Sequence, residues 1–165
     1  MSSSASLRER FLQTHLLLYM RSFTSALAVL LFASTAFAEQ TEAVGRIKLV
    51  SGGVLVVRGQ TQLQAQAGQI LYQSDMLRTG TDGNVGVALK DDTRVALGPS
   101  SEVRLDHFSY APAEGQLSLV LKVMRGVVAY VSGRIAKLAP DAVRIETPAA
   151  ILGVRGTTLA IRIDQ

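Results

Sequence analysis

The chain of 165 residues contains no cysteine and no tryptophan. Without cysteine there is no disulfide framework, no thiolate metal site and no thiol nucleophile, so stability has to come from burial. Aromatic residues make up 5% of the chain, and from residue 39 onward only Tyr72, Phe108, Tyr110 and Tyr130 remain. Four rings cannot furnish the two interfacial girdles of an outer-membrane barrel, whose strands also need ~9–11 residues. Charge is scarce too, at 18%, and no run of Lys or Arg occurs. The arginines are spread singly along the sequence, which argues against the clustered phosphate-contacting face of a nucleic-acid binder.

The formal charge of +4 has to be located before it is used. Arg8, Arg10 and Arg21 fall in the first 38 residues with one acid, Glu9; from residue 39 onward 14 basic residues face 12 acidic ones. Part of the basic excess therefore belongs to a leader. Met20-Arg21 precedes an apolar block, Ala26 to Ala33, and then Ala36-Phe37-Ala38-Glu39. That order of charged, apolar and A-x-A segments is a secretory signal, with cleavage expected between Ala38 and Glu39. The block is shorter than the roughly 20 residues a spanning helix needs. An uncleaved anchor is the alternative reading. The long stretch before Met20 is explained most simply if translation begins there. The expected division is a signal peptide over 1–38, a short linker over 39–43 and a β domain over 44–165.

What fills the chain from Val44 onward is short alternating apolar segments punctuated by turn residues. Arg46-Ile47-Lys48-Leu49 alternates before Ser51-Gly52-Gly53, and Val54-Leu55-Val56-Val57 runs into Arg58-Gly59. Leu63, Ala65 and Ala67 alternate with Gln62, Gln64 and Gln66, which makes one buried and one wet face. Asp82-Gly83-Asn84 and Lys90-Asp91-Asp92-Thr93 carry tight-turn chemistry ahead of further strands. Strands are expected again over 103–105, 116–124, 127–131 and 142–145, and in the closing segment. No segment after the leader has convincing helical periodicity. The expected fold is all-β, with short antiparallel strands in a roll, a β-solenoid-like or a sandwich arrangement, preceded by an N-terminal signal-peptide helix. Arg-Gly recurs in Val57-Arg58-Gly59, Met124-Arg125-Gly126 and Val154-Arg155-Gly156 at unequal intervals, consistent with a reused corner rather than a strict repeat.

Candidate chemistry is thin. Asp91-Asp92 are adjacent, so on a strand their carboxylates point to opposite faces; they read as turn residues. Asp75 reads as an Asx-type turn residue bonding nearby N–H groups. His107 is the one histidine after the leader, and a single imidazole does not make a typical zinc site. No G-x-S-x-G, G-x-x-x-x-G-K or strand-borne G-x-G-x-x-G occurs. The reading is a non-enzymatic module with no cofactor and no metal. Arg155, between two glycines, offers a fixed fork of donors, but a structural role at a strand corner is preferred, with Thr157 and Thr158 opening the last strand. The uncharged, Gln-rich stretch Gln60 to Gln69 is a candidate edge for a partner strand, and Ala160 to Ile163 is another.

In order along the chain, several motifs resemble one family. Gly68-Gln69-Ile70-Leu71 followed by Asp75-Met76-Leu77-Arg78-Thr79-Gly80 is similar to a "G, then D-x-L-x-T-G" element. Asp91-Asp92-Thr93-Arg94-Val95-Ala96-Leu97-Gly98-Pro99-Ser100-Ser101 looks like its central turn and strand. Thr147-Pro148 through Gly153-Val154-Arg155-Gly156-Thr157 looks like its closing signature. Residues 44–161 thus resemble the FecR-like domain, the periplasmic part of ferric-citrate-type signalling proteins. The resemblance implies an extracytoplasmic all-β module in the periplasm or secreted, and no catalyst. Its signalling members carry a large cytoplasmic part before a membrane span and more sequence after the domain. This chain has 1–21 before its apolar block and stops at Gln165, so a stand-alone secreted member is expected. Its last strand is then left uncovered, and its partner is a protein or an envelope component met through an exposed strand edge. A cell-wall or polysaccharide-binding adaptor and a regulator linked to sigma-factor signalling are the alternatives.

Overall fold

The computed structural model of the protein describes residues 42–154 and 158–164; the expected signal helix, with Ala38 and Glu39, lies outside them. β1 (Ala43–Ser51) leads through Gly52-Gly53 into β2 (Val54–Arg58), with which it does not pair, and β3 (Thr61–Gln64) returns along β2 as the first hairpin. Next come β4 (Ile70–Tyr72), β5 (Met76–Thr79), β6 (Asn84–Leu89) and β7 (Arg94–Leu97). Two long strands follow, β8 (Glu102–Ala111) and β9 (Gln116–Val131). The chain closes with a short helix α1 (Arg134–Leu138), then β10 (Val143–Glu146), β11 (Ile151–Gly153) and β12 (Thr158–Ile163).

The twelve strands of the described residues join in one sheet, curled into a half-barrel. Its main path runs β3-β2-β5-β8-β9-β7-β6-β1-β4. Pairing is antiparallel except between β10 and β9. β9 is the hinge of the architecture because its two halves have different neighbours. Residues 116–125 lie between β8 and β10, while residues 126–131 lie between β7 and β12. We call the two limbs sheet B (β3, β2, β5, β8, first half of β9, β10, β11) and sheet A (β4, β1, β6, β7, second half of β9, β12).

The change of direction falls at Gly126, whose φ is +89°, a value that side-chain-bearing residues avoid. A Cβ there would come within 2.5 Å of Ser101 Cα. Ser101 mends the ladder at the bend: its Oγ donates to the Val127 carbonyl (3.1 Å) and accepts from the Val127 N–H (2.9 Å). The inward rows of both limbs make the core, where Ile47, Leu71, Leu77, Leu119, Leu121 and Tyr130 are wholly buried.

Several sequence expectations change here. The segments expected over 116–124 and 127–131 are one 16-residue strand, and Gly126 marks a bend inside it rather than a strand end. With β8 at 10 residues, strand length no longer separates this fold from barrel strands. The Gln-rich strand is confined to Thr61–Gln64, because the alternation ends at buried Ala65 and the chain turns through Gly68 (φ +86°). The helix α1 was not anticipated. At five residues it shows no period, and it forms because the β6–β7 turn holds its first turn. Asp91 Oδ2 accepts from the Ile135 N–H (3.3 Å), and the Asp91 carbonyl accepts from the Arg134 N–H (2.6 Å).

Candidate functional site

Most of the singled-out residues brace corners. Asp75 is fully buried in the β4–β5 turn and accepts from the Tyr72 N–H (2.8 Å), as an Asx turn should. It also takes both Nε and Nη2 of Arg58 at 2.8 Å, an ion pair the local reading missed because the partners lie 17 residues apart. Arg58 in turn sits 4.4 Å over the Tyr72 ring. Its hydrogen bonds to Asp75 raise its pKa against the opposing effect of burial.

Thr79, Gly80 and Gly98 meet at the junction of β5 with the β7–β8 loop. Thr79 Oγ1 donates to the Gly98 carbonyl (2.7 Å) and accepts from the Ser101 N–H (2.8 Å), and the Gly80 N–H donates to the Gly53 carbonyl (2.8 Å). Asp91 is buried and Asp92 exposed, so the two carboxylates diverge. Asp91 accepts from Thr93 Oγ1 (2.7 Å) and the Thr93 N–H (3.1 Å); Asp92, at φ +68°, pairs with Arg134 at 2.9 Å. Tyr130 packs beside this turn with its hydroxyl buried and short of a well-formed hydrogen bond. Burial raises its pKa, nearby Thr93 and Ser132 work the other way, and the Asp91 charge adds to the rise. His107 is exposed on β8 at a bulge, and among the described residues no group of three or more His, Cys, Asp or Glu is placed to hold a metal ion. Among the described residues no helix is long and apolar enough to cross a membrane. Thr147 closes the β10–β11 hairpin, its Oγ1 accepting from the Ala150 N–H (3.0 Å), and Gly153 ends β11 with open space around it. Arg155, Gly156 and Thr157 lie outside the described residues.

Both candidate edges are edges. β3 pairs with β2 alone and β12 with β9 alone among the described residues. β12 is the longer, with six residues, and the better built for a partner. Leu159, Ile161 and Ile163 point inward and Ile161 reaches the core, whereas Thr158, Ala160 and Arg162 face outward and are exposed. Which backbone groups are open follows from β9. The Val127 N–H and C=O both face the β7 side, bonding Ser101 and Gly98. Backbone groups alternate sides along a strand, so those of Val128 and Tyr130 face β12, bonding their register partners Ile161 and Leu159. The N–H and C=O of Thr158, Ala160 and Arg162 are left pointing away from the sheet.

Residues 75–165, more than half of the chain, match the family described as FecR protein. The chain belongs to the FecR protein family. Of the motif residues, Asp75, Thr79, Gly80, Asp92, Gly98 and Gly153 fall inside that span, while Gly68 precedes it. No curated protein and no solved structure matches the chain. Within this FecR domain the family landmarks build corners, and the accessible features are the edge of β12 and the broad outer faces of the sheet.

Those outer faces differ in charge. On sheet B most cations are neutralised, Arg144 on β10 being the exception among the described residues. Arg78 and Arg125 pair with Glu102 at 3.2 and 3.3 Å, Arg104 and Lys122 pair with Asp106 at 2.8 and 3.0 Å, and Lys122 also reaches Glu146. Burial acts to raise the Asp106 pKa, but Lys122 and Arg104 outweigh it and the net shift is downward. On sheet A, Arg46, Lys48 and Arg94 line a hollow of about 620 Å³ with Ile70 and Ala88; Lys90 and Asp92 also line it but are paired with Glu42 and Arg134, while none of the three cations has an acidic partner among the described residues. The sequence scatters these cations over 49 positions, from 46 to 94; the register Arg46↔Ala88↔Arg94 brings them together. Cations spread singly along the sequence are thus grouped on this face by the sheet.

Proposed function

We propose that this FecR-family chain is an extracytoplasmic, non-catalytic interaction module that engages a partner protein by accepting one of its strands along β12. The observation that carries this reading is the outward row of backbone donors and acceptors at Thr158, Ala160 and Arg162. Strand addition draws affinity from such main-chain bonds and selectivity from alternate side chains. An incoming strand would place its inward residues beside Leu159, Ile161 and Ile163, extending a core that already exists. The other edges are weaker hosts, since β4 and β11 have three residues each and β3 is Gln-rich and largely exposed. A polysaccharide-binding adaptor has less support. Tyr130 is in the core and Tyr72 lies under Arg58, so few rings remain for sugar stacking. The leader read from the sequence puts the module outside the cytoplasm, and family membership favours a regulatory role over a metabolic one.

The test is Ala160→Pro. Proline is tolerated on an edge strand where the N–H faces outward, so the β9–β12 ladder stays intact while the incoming strand loses an anchor. A protein retained from envelope fractions by the unchanged chain should be lost by Ala160→Pro at nearly unchanged melting temperature. Equal retention by both would remove the edge as the docking site.

A further inference from the structure

The outer face of sheet A carries a second surface, separate from the strand edge. Beside the basic hollow runs a trough of about 580 Å³. Its floor is a row of small residues in register, Gly86↔Ala96↔Ala129, and its walls are Leu49, 74% exposed, and Val127, 36% exposed. Isolated exposed apolar residues are ordinary, but an apolar trough beside a group of cations is the composition of an interaction site.

We infer that this face binds an acidic amphipathic segment of a partner protein, with its apolar side in the trough and its carboxylates on Arg46, Lys48 and Arg94. Charge complementarity selects the occupant. Arg144 and Arg162 are also without an acidic partner among the described residues but stand singly, whereas Arg46, Lys48 and Arg94 are grouped round one hollow and left for an outside anion. Arg46 and Arg94 stand two strands apart, about 10 Å, so two carboxylates of one segment can be held at once. Shape excludes the simpler anionic partners. A planar bilayer would touch Leu49 and Val127 but leave the Gly86-Ala96-Ala129 floor unfilled, and a carboxylated glycan would cover apolar walls with hydroxyls and find no aromatic lining.

Gly86 supplies a clean test because its φ is not in the left-handed region and an added Cβ meets only Leu49 Cβ at 3.7 Å and Cδ1 at 3.9 Å, ordinary contact distances. Gly86→Val therefore fills the trough without straining the strand and leaves the β12 edge untouched, so this inference and the strand-addition reading stand or fall separately. The full chain is used to select from a random peptide library displayed on phage, and is pelleted in parallel with phosphatidylglycerol vesicles. The expected result is a consensus of Asp or Glu with Leu, Ile or Val. Its binding should weaken about tenfold or more in Gly86→Val and in the Arg46→Glu/Arg94→Glu double variant, with Gly86→Val melting no lower than the parent. No acidic–apolar consensus, or binding that either variant leaves unchanged, overturns the inference. Vesicle pelleting that the double variant abolishes, with no peptide selected, assigns the face to a membrane and overturns it as well.

Discussion

Arg58 and Asp75 form one ion pair with unequal surroundings. The Asp75 side chain is fully buried, while that of Arg58 is 39% exposed. Removing the arginine strands a carboxylate in the core, which costs about 3–5 kcal/mol when a buried pair is broken. Removing the aspartate leaves a guanidinium that can turn to water, so the loss is nearer the about 1–3 kcal/mol of unsatisfied buried partners such as the Tyr72 N–H. In urea denaturation Arg58→Ala should therefore be the more damaging change, and the reverse order would mean the pair is not the brace it looks to be. Tyr130 gives a residue-scale prediction in pH. Its folded pKa is raised, so above the ordinary tyrosine value of about 10 the unfolded chain loses this proton while the folded chain keeps it. Stability then falls as pH rises beyond that point and is unaffected below it. Tyr130→Phe should melt close to the parent at pH 7, having given up no well-formed hydrogen bond, and should lose less stability between pH 9 and about 11. An unchanged alkaline slope would assign the effect to other groups.

At the scale of elements, β9 decides the shape, and its bend is the place where a single methyl group should matter most. Gly126→Ala adds a left-handed residue and a contact with Ser101 Cα, together worth about 2–4 kcal/mol. Gly59 is a fair control: its φ is +57° but nothing lies within 4 Å, so Gly59→Ala should cost only the conformational part, about 1–2 kcal/mol. Equal losses in thermal melts would show that the Ser101 contact relaxes. The existence of most strands was readable from period-two alternation and from Asp-Gly or Gly-Gly turns, since these signals are local. Their partners were not. β9 takes neighbours from β7, β8, β10 and β12, and nothing in residues 116–131 alone says which half meets which. The bend was half visible: Arg125-Gly126 stood out, but only Ser101, 25 positions earlier, shows why glycine is needed.

For the whole molecule, the sheet turns scattered residues into surfaces. The β12 edge was legible because a short alternating segment at the end of the domain is a recognisable signal. The face of Arg46, Lys48 and Arg94 was not, because it depends on β1, β6 and β7 lying side by side in one register. Both surfaces act in the envelope only if the chain is exported, and that rests on the leader. Cleavage at Ala38-Glu39 would release the β domain a few residues before β1, leaving both the β12 edge and the sheet A face free to meet partners away from the membrane. Retention of Ala26 to Ala33 would instead tether the same domain to a bilayer through a short linker and restrict which partners can reach those surfaces. Mass spectrometry of the protein recovered from the periplasm should find Glu39 as the first residue. A mature chain that still carries the apolar block would turn the released module into an anchored one, and recovery only from the cytoplasm would remove the envelope partner from the proposal.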